Sequence, residues 1–155
     1  MERISYKEMP NGFYEALNTV QKYVDHSGLD YSLLELVRMR VSQINSCAYC
    51  LDMHLKEGVQ AGDTALRLLS VSAWRETTYY SPKEQAALEF AERLTRMREE
   101  EHSDNIHEEL LKHFTKQEIA HLTLAIIQIN AWNRMVRSFG SVAGNHKVKA
   151  VAAAI

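Results

Sequence analysis

An all-α fold of about six to eight helices is what the sequence predicts, on three observations. Apolar residues recur at helical spacing along almost the whole chain. Capping signals of the Ser/Thr-x-x-Glu kind punctuate that pattern. No strand-like alternation or hairpin turn interrupts it. The 155 residues have the length of one domain, so a single helical domain over 1–155 is expected. A composition of 46% hydrophobic and 25% charged residues is that of an ordinary globular protein. The formal net charge of −2 offers no basic field for nucleic acid or an anionic membrane, so neither is an expected partner. The first residues lack the apolar core of a secretory signal and no later run of 18 apolar residues exists, which makes a cytoplasmic protein the expectation.

Taken in order, the elements are as follows. Met9-Pro10-Asn11-Gly12 reads as a turn, after which Phe13, Leu17, Val20 and Val24 mark an amphipathic helix ending near Ser27-Gly28. Ser32-Leu-Leu-Glu35 has the form of a capping box, opening a helix that is apolar on more than one side and therefore central. Asn45-Ser46 is placed to cap a third helix that begins at or just after Cys47 and finishes at Gly62. Asp63 is placed to cap a shorter fourth helix through Leu66, Leu69 and Val71, with Trp74 near its end. Ser81-Pro82-Lys83-Glu84 combines an N-cap, a first-turn proline and a box glutamate ahead of Ala87, Leu88, Ala91 and Leu94. Arg98 to His102 is a charged end, and Ser103-Asp104 restarts a short helix with Ile106, Leu110 and Phe114. Thr115-Lys116-Gln117-Glu118 is another capping box, opening a long apolar helix to about Phe139-Gly140. His146 to Ile155 reads as a terminal helix or a tail that docks on another subunit.

Chemistry concentrates in the stretch from Glu35 to His54. Both cysteines of the protein, Cys47 and Cys50, lie there three positions apart, and His54 follows the second by four. Helical steps of roughly −60° and +40° put the three side chains on one face. A pair this close closes too short a loop to staple a fold, so redox catalysis or metal binding is the reading. Helix-terminal amides and a neighbouring imidazolium both lower a thiol pKa from about 8.5. The i,i+4 relation favours Cys50 as the partner of His54, whereas Cys47 lies nearer the helix end; the order of the two thiols stays open on these grounds. Glu35 alone reads as a capping residue, and His54 alone as a partly buried histidine. Zinc is the chemical rival, with Cys47, Cys50 and His54 supplying three ligands. No second Cys-x2-Cys or His-x3-His pair is present, and His26, His102, His107, His113, His121 and His146 show no mutual ligand spacing. Among these, His121 on the long apolar helix is the exception to follow. Trp74, Trp132 and the methionines read as core or subunit packing. Asn130, Asn133 and Arg134 read as groups that satisfy backbone ends or bond across a subunit interface. Scattered glycines give no phosphate-binding loop.

The joint pattern Glu35-x11-Cys47-x2-Cys50-x3-His54 resembles the AhpD-type alkylhydroperoxidase core within the wider carboxymuconolactone decarboxylase-like family. The likeness is strongest from about Asp30 to Gly62 and returns at Ile126 to Arg134. It implies a helical peroxidase without haem, flavin, metal or other cofactor, acting on hydrogen peroxide or a small organic hydroperoxide. By the resemblance Cys50 attacks the peroxide, Cys47 condenses with the resulting sulfenic acid, and Glu35 and His54 relay the proton. It also implies an external dithiol reductant, in the family a lipoyl group on an acyltransferase, and a homo-oligomer, trimer or hexamer. Better-known members carry a histidine just before the second cysteine, where this chain has Tyr49, a phenol that hardly bears a proton at neutral pH. Rival readings are a non-peroxidatic disulfide oxidoreductase, a redox sensor, a zinc-stabilised assembly protein, and a lactone decarboxylase, whose chemistry needs no dithiol.

Overall fold

The computed structural model describes residues 2–98 and 104–148. Among them are seven α-helices and no strand: α1 (Phe13–Asp25), α2 (Tyr31–Ile44), α3 (Ala48–Gln60), α4 (Ala65–Ser70), α5 (Pro82–Arg96), α6 (Asp104–Leu110) and α7 (Lys116–Phe139). Short 3₁₀ segments, Tyr6–Glu8 and Val71–Glu76, precede α1 and follow α4. The expected charged end falls at 99–102 and the terminal segment at 149–155 outside the described residues; 146–148 are not helical.

The capping chemistry sets the helix starts. Ser81 and Thr115 each accept the N–H of the glutamate three residues on, and Glu84 and Glu118 return the bond to the cap N–H, as their sequences predict. Three expected caps fall elsewhere, one of them Asn45-Ser46, which gives way to Cys47 at the start of α3. The N-cap of α2 is Asp30, whose carboxylate accepts the Leu33 N–H at 3.1 Å, so Ser32 lies inside the helix and Glu35 is no capping residue. Thr64, not Asp63, caps α4; Asp63 instead holds Arg67 in a two-point ion pair. For α2 and α4 the sequence offers two capping residue types within three positions, and local spacing does not choose between them.

Helix α2 runs through the middle of the bundle. Ten consecutive residues, Leu33 to Ser42, are buried, against α3, α5 and α7. Its apolar side chains divide between two cores. Leu33, Leu34, Val37 and Val41 join residues of α1, α5, α6 and α7, while Leu36 and Met39 join Leu68, Val71, Trp74, Tyr80 and Leu88. A helix buried all round must neutralise every polar group it carries. Arg40 does so through Glu92 of α5 at 2.6 Å, and the same carboxylate accepts from Trp74 Nε1 and Arg75. Ser42 accepts from Asn133 of α7, and Glu35 and Arg38 pair with each other.

The polar residues of α7 serve the α2–α3 connection. Asn45 donates to Asn130 and Asn133, each at 2.9 Å, and Arg137 donates to the Asn45 carbonyl at the end of α2. Asn130 and Asn133 thus meet side chains rather than a backbone end, Arg134 bonds Asn130 within its own helix, and the backbone end is met by Arg137, which the sequence does not single out.

The cap assignment makes a measurable difference. Asp30→Ala should lower unfolding free energy by about 1 kcal/mol in urea titration, whereas Ser32→Ala should change it by less than about 0.5 kcal/mol.

Candidate active site

The connection between α2 and α3 fixes the cysteine pair. Ser46 adopts a left-handed conformation (φ 51°), which a side-chain-bearing residue enters at a cost of roughly 1–2 kcal/mol. It turns the chain so that Cys47 is extended (φ −97°, ψ 92°) and becomes the N-cap of α3, with Cys50 in the first turn. Both thiols are free and buried, each 1% exposed. They pack with Met135 and Val136 of α7. The shared helical face expected from sequence therefore holds for Cys50 and His54 but not for Cys47, which lies before the helix begins.

Cys50 and His54 line one cavity of about 300 Å³, together with Glu35. Cys47 is not on its wall. The cavity is closed on one side by aromatic groups of the Tyr6–Glu8 segment, α1 and α7, among them Tyr6, Tyr14 and Trp132. Tyr49, immediately before Cys50, also lines it. Burial, and then the neighbouring Tyr49 phenol, push the Tyr6 hydroxyl up to about 12.

Behind His54 runs a chain of buried charges. His54 Nδ1 lies 2.8 Å from Glu35 Oε2, Arg38 Nη1 donates to Glu35 Oε1 at 2.8 Å, and Arg38 Nη2 donates to Asp25 at 2.5 Å. Asp25 in turn accepts from Gln21, whose side-chain oxygen accepts from the buried Gln128. The relay thus ties α3 to α2, α1 and α7. Burial works to raise the Glu35 carboxyl, but His54 and Arg38 outweigh it and hold the group below the usual carboxylate range. An ionised carboxylate only accepts, so Nδ1 donates to it, and Nε2 keeps a lone pair whenever the ring carries a single proton. That Nε2 is buried and has no partner in the protein.

The two thiols differ in acidity. A hydrogen bond from the Cys50 thiol lowers Cys47 to about 7, against the opposing effect of burial. The Cys50 N–H, the Asn133 amide and the charge of Arg137 add to the lowering. The reciprocal effect, with burial, pushes Cys50 well above the ordinary thiol range. Cys47 is thus the sulfur whose surroundings favour a thiolate, and Cys50 the one whose surroundings favour the thiol.

All four residues singled out in sequence, Glu35, Cys47, Cys50 and His54, converge here. Arg38 and Asp25 were missed, although a charged residue three positions after Glu35, on a helix apolar all round, is itself a signal. His146 shows no ligand spacing in the sequence. In the fold it lines the cavity and lies 2.7 Å from Glu57, a placement set by the fold of the chain end across α3. His121 lies away from the site beside Tyr23. Among the described residues no three His, Cys, Asp or Glu side chains group as a metal ion requires, so the zinc reading finds no ligand set there.

The sign of the acid response follows from Glu35. Its folded pKa is depressed, so its contribution to stability is complete above the unfolded value of about 4.3 and is lost as pH falls through the folded value. Unfolding titrations should therefore show a shallower loss of stability below about pH 4 in Glu35→Gln than in wild type. Arg38→Met, which leaves the buried carboxylate with one partner fewer, should cost about 3–5 kcal/mol at neutral pH.

Comparison with known proteins agrees with this geometry. Residues 11–93 match the model of the Carboxymuconolactone decarboxylase family. Over 144 residues the chain is 34% identical to YdfG, an uncharacterised protein of Bacillus subtilis strain 168, spanning 93% of this chain and 98% of that one. The fold is similar to that of ATU0492 from Agrobacterium tumefaciens, a protein of unknown function for which a role as the antioxidant defence protein AhpD has been put forward. That similarity has a TM-score of 0.88 and 34% identity, over 94% of this chain and 100% of that one. A peroxidase-related protein from Silicibacter sp. TM1040 shares the fold at TM-score 0.75 and 21% identity, over 84% of this chain and 70% of the other. With its helical bundle, its matched family model and its Cys47–Cys50 pair, the chain belongs to the carboxymuconolactone decarboxylase family and is of the AhpD type.

Proposed function

We propose that the protein is a thiol peroxidase that reduces hydrogen peroxide or a small organic hydroperoxide through a Cys47/Cys50 dithiol–disulfide cycle. One observation carries the reading: Cys50 shares a cavity with an unpaired His54 Nε2, whose other nitrogen is held by an ionised carboxylate. A resting Cys50 thiol is a poor nucleophile, and the site offers two acceptors for its proton. One is the Cys47 thiolate to which it already hydrogen-bonds; the other is His54 Nε2. Either transfer puts the thiolate on the sulfur that faces the cavity.

The Cys50 thiolate attacks the outer peroxide oxygen, and the O–O bond breaks with its electron pair on the inner oxygen. That oxygen takes back the proton that Cys50 gave up, from the imidazolium or from the Cys47 thiol according to the route, and leaves as water or an alcohol, while Cys50 becomes a sulfenic acid. The Cys47 thiolate then attacks the Cys50 sulfur; a disulfide forms, the S–O bond breaks, and the leaving hydroxide takes a proton from solvent to become water. An external dithiol, such as a lipoyl group, returns the pair to two thiols by exchange and is itself oxidised to the disulfide. Glu35 acts through His54 as a positioning residue, fixing its tautomer, and Arg38 keeps Glu35 ionised.

A second reading, disulfide exchange led by Cys47, draws on the lowered pKa of that thiol. Its absence from the cavity wall counts against it.

Turnover of hydrogen peroxide with dihydrolipoamide decides between them. Cys50→Ser should abolish reaction with peroxide, whereas Cys47→Ser should react once and accumulate a sulfenic acid trapped by dimedone. His54→Asn should lower the rate of Cys50 oxidation by about 10²–10⁴-fold, the usual contribution of a positioned base. Retention of a peroxide-dependent sulfenic acid in Cys50→Ser, and its absence in Cys47→Ser, would transfer the leading role to Cys47.

A further inference from the structure

A second depression, of about 330 Å³, lies where the end of α2 meets the last turns of α7, lined by Asn45, Asn133, Arg134, Arg137 and Ser138. It shares no lining residue with the cavity that holds Cys50, and its charge is opposite. The first lining carries the carboxylates of Asp25, Glu35 and Glu57 against the one guanidinium of Arg38. The second carries two guanidiniums and, among the described residues, no carboxylate.

The arginines of this corner differ from the rest. Arg38, Arg40, Arg67, Arg75, Arg93 and Arg96 each pair with a carboxylate. Among the described residues Arg134 and Arg137 have no such partner, and neither has Arg3, which reaches the same end of α7. Each of the three donates through Nη1 and only to uncharged acceptors: Arg3 to the carbonyls of Arg137 and Ser138, Arg134 to the carbonyl and side chain of Asn130, Arg137 to the Asn45 carbonyl. Those bonds occupy one nitrogen of each guanidinium and leave Nε and Nη2 for another acceptor. Cations gathered without an acid repel one another, and a concave site focuses their field on an anion that enters.

Position ties the depression to the thiols. Asn133 is fully buried and lines it, and the groups acting on Cys47 are Cys50 of α3 with Asn133 and Arg137 of α7. The Asn133 amide and the Arg137 charge both favour a thiolate at Cys47, and an anion seated on Arg137 cancels part of that support.

We propose that the depression binds a phosphate group, free or borne on a small ester, through Arg134 and Arg137, and that this anion and a Cys47 thiolate oppose each other. Phosphate fits better than a carboxylate because it is close to a dianion at neutral pH and so matches both guanidiniums of the lining. Arg134 and Arg137 are neighbours on the surface of α7, three positions apart, and their planar forks suit the several oxygens of one phosphate. By linkage, whatever factor the thiolate costs the anion, the anion costs the thiolate. The inference is independent of the substrate that the thiol pair reduces.

Calorimetry on the reduced protein at low ionic strength tests this with inorganic phosphate, glycerol phosphate and acetate at about pH 8, where Cys47, lowered to about 7, is mainly ionised. Wild type should bind one phosphate per chain with a dissociation constant of about 1 mM or tighter, and acetate at least about tenfold more weakly. Arg134→Gln, which leaves Arg137 and its bond to Asn45 in place, should weaken phosphate about tenfold with an unchanged thermal melt, and Arg134→Lys, which keeps the charge without the fork, should fall between. Cys47→Ala, which removes the thiolate, should bind phosphate about threefold more tightly than wild type at about pH 8 and equally at about pH 6. Saturating phosphate should in turn raise the midpoint of the Cys47 thiolate titration, read by ultraviolet absorbance, by about 0.5 pH unit, the same factor. Tighter binding of glycerol phosphate than of inorganic phosphate assigns the site to an ester, and the reverse order to the free ion. Absence of saturable phosphate binding, or an unchanged affinity in Arg134→Gln, would overturn the site and leave an adventitious ion only. Equal phosphate affinity in Cys47→Ala and wild type at about pH 8 would overturn the opposition between anion and thiolate.

Discussion

A single buried carboxylate organises this molecule. Glu35 sits fully inside the central helix, and taking such a charge out of water costs several kcal/mol unless it is matched. Arg38 supplies the matching charge and His54 the second hydrogen bond, at 2.8 Å each. Because Arg38 continues to Asp25, and Asp25 to Gln21 and Gln128, the compensation extends through α2, α1 and α7. The polar thread that makes the carboxylate tolerable is also what holds the bundle's helices in register around the cavity. A hydrophobic replacement would relieve the cost and remove the carboxylate that bonds the imidazole.

From that constraint the division of labour between the sulfurs follows. The strained turn at Ser46 places Cys47 at the helix cap, where the Cys50 N–H, Asn133 and Arg137 favour negative charge. Cys50 sits one turn before His54 and on the cavity wall. The more acidic thiol is therefore the one away from the cavity, and the thiol on the cavity needs a base. The lower pKa and the place on the cavity wall, often found together in a reactive cysteine, here belong to different residues.

Much of this was legible in the chain. The helices declare themselves by period, and the boxes at Ser81 and Thr115 fall where their spacing puts them. The four site residues are found by their joint spacing, since Glu35 and His54, 19 positions apart, come together only because α3 folds back on α2. What was not legible depends on tertiary choice. Asp30 and Ser32 are equally good caps in isolation, and packing of α2 decides for Asp30. That decision turns Glu35 from a first-turn capping residue into a buried ion. Trp132, correctly read as packing, also presents an unpaired N–H, a property no sequence pattern reveals. His146 reaches the cavity from a segment with no periodicity at all.

The central claim is that the Glu35 carboxylate fixes the protonated nitrogen of His54 and so leaves a base facing Cys50. Nitrogen-15 NMR of the reduced protein at neutral pH reads this directly. The account predicts that His54 carries its proton on Nδ1 and leaves Nε2 bare, and that this preference weakens in Glu35→Gln. A wild-type His54 with its proton on Nε2 and a bare Nδ1 would contradict it.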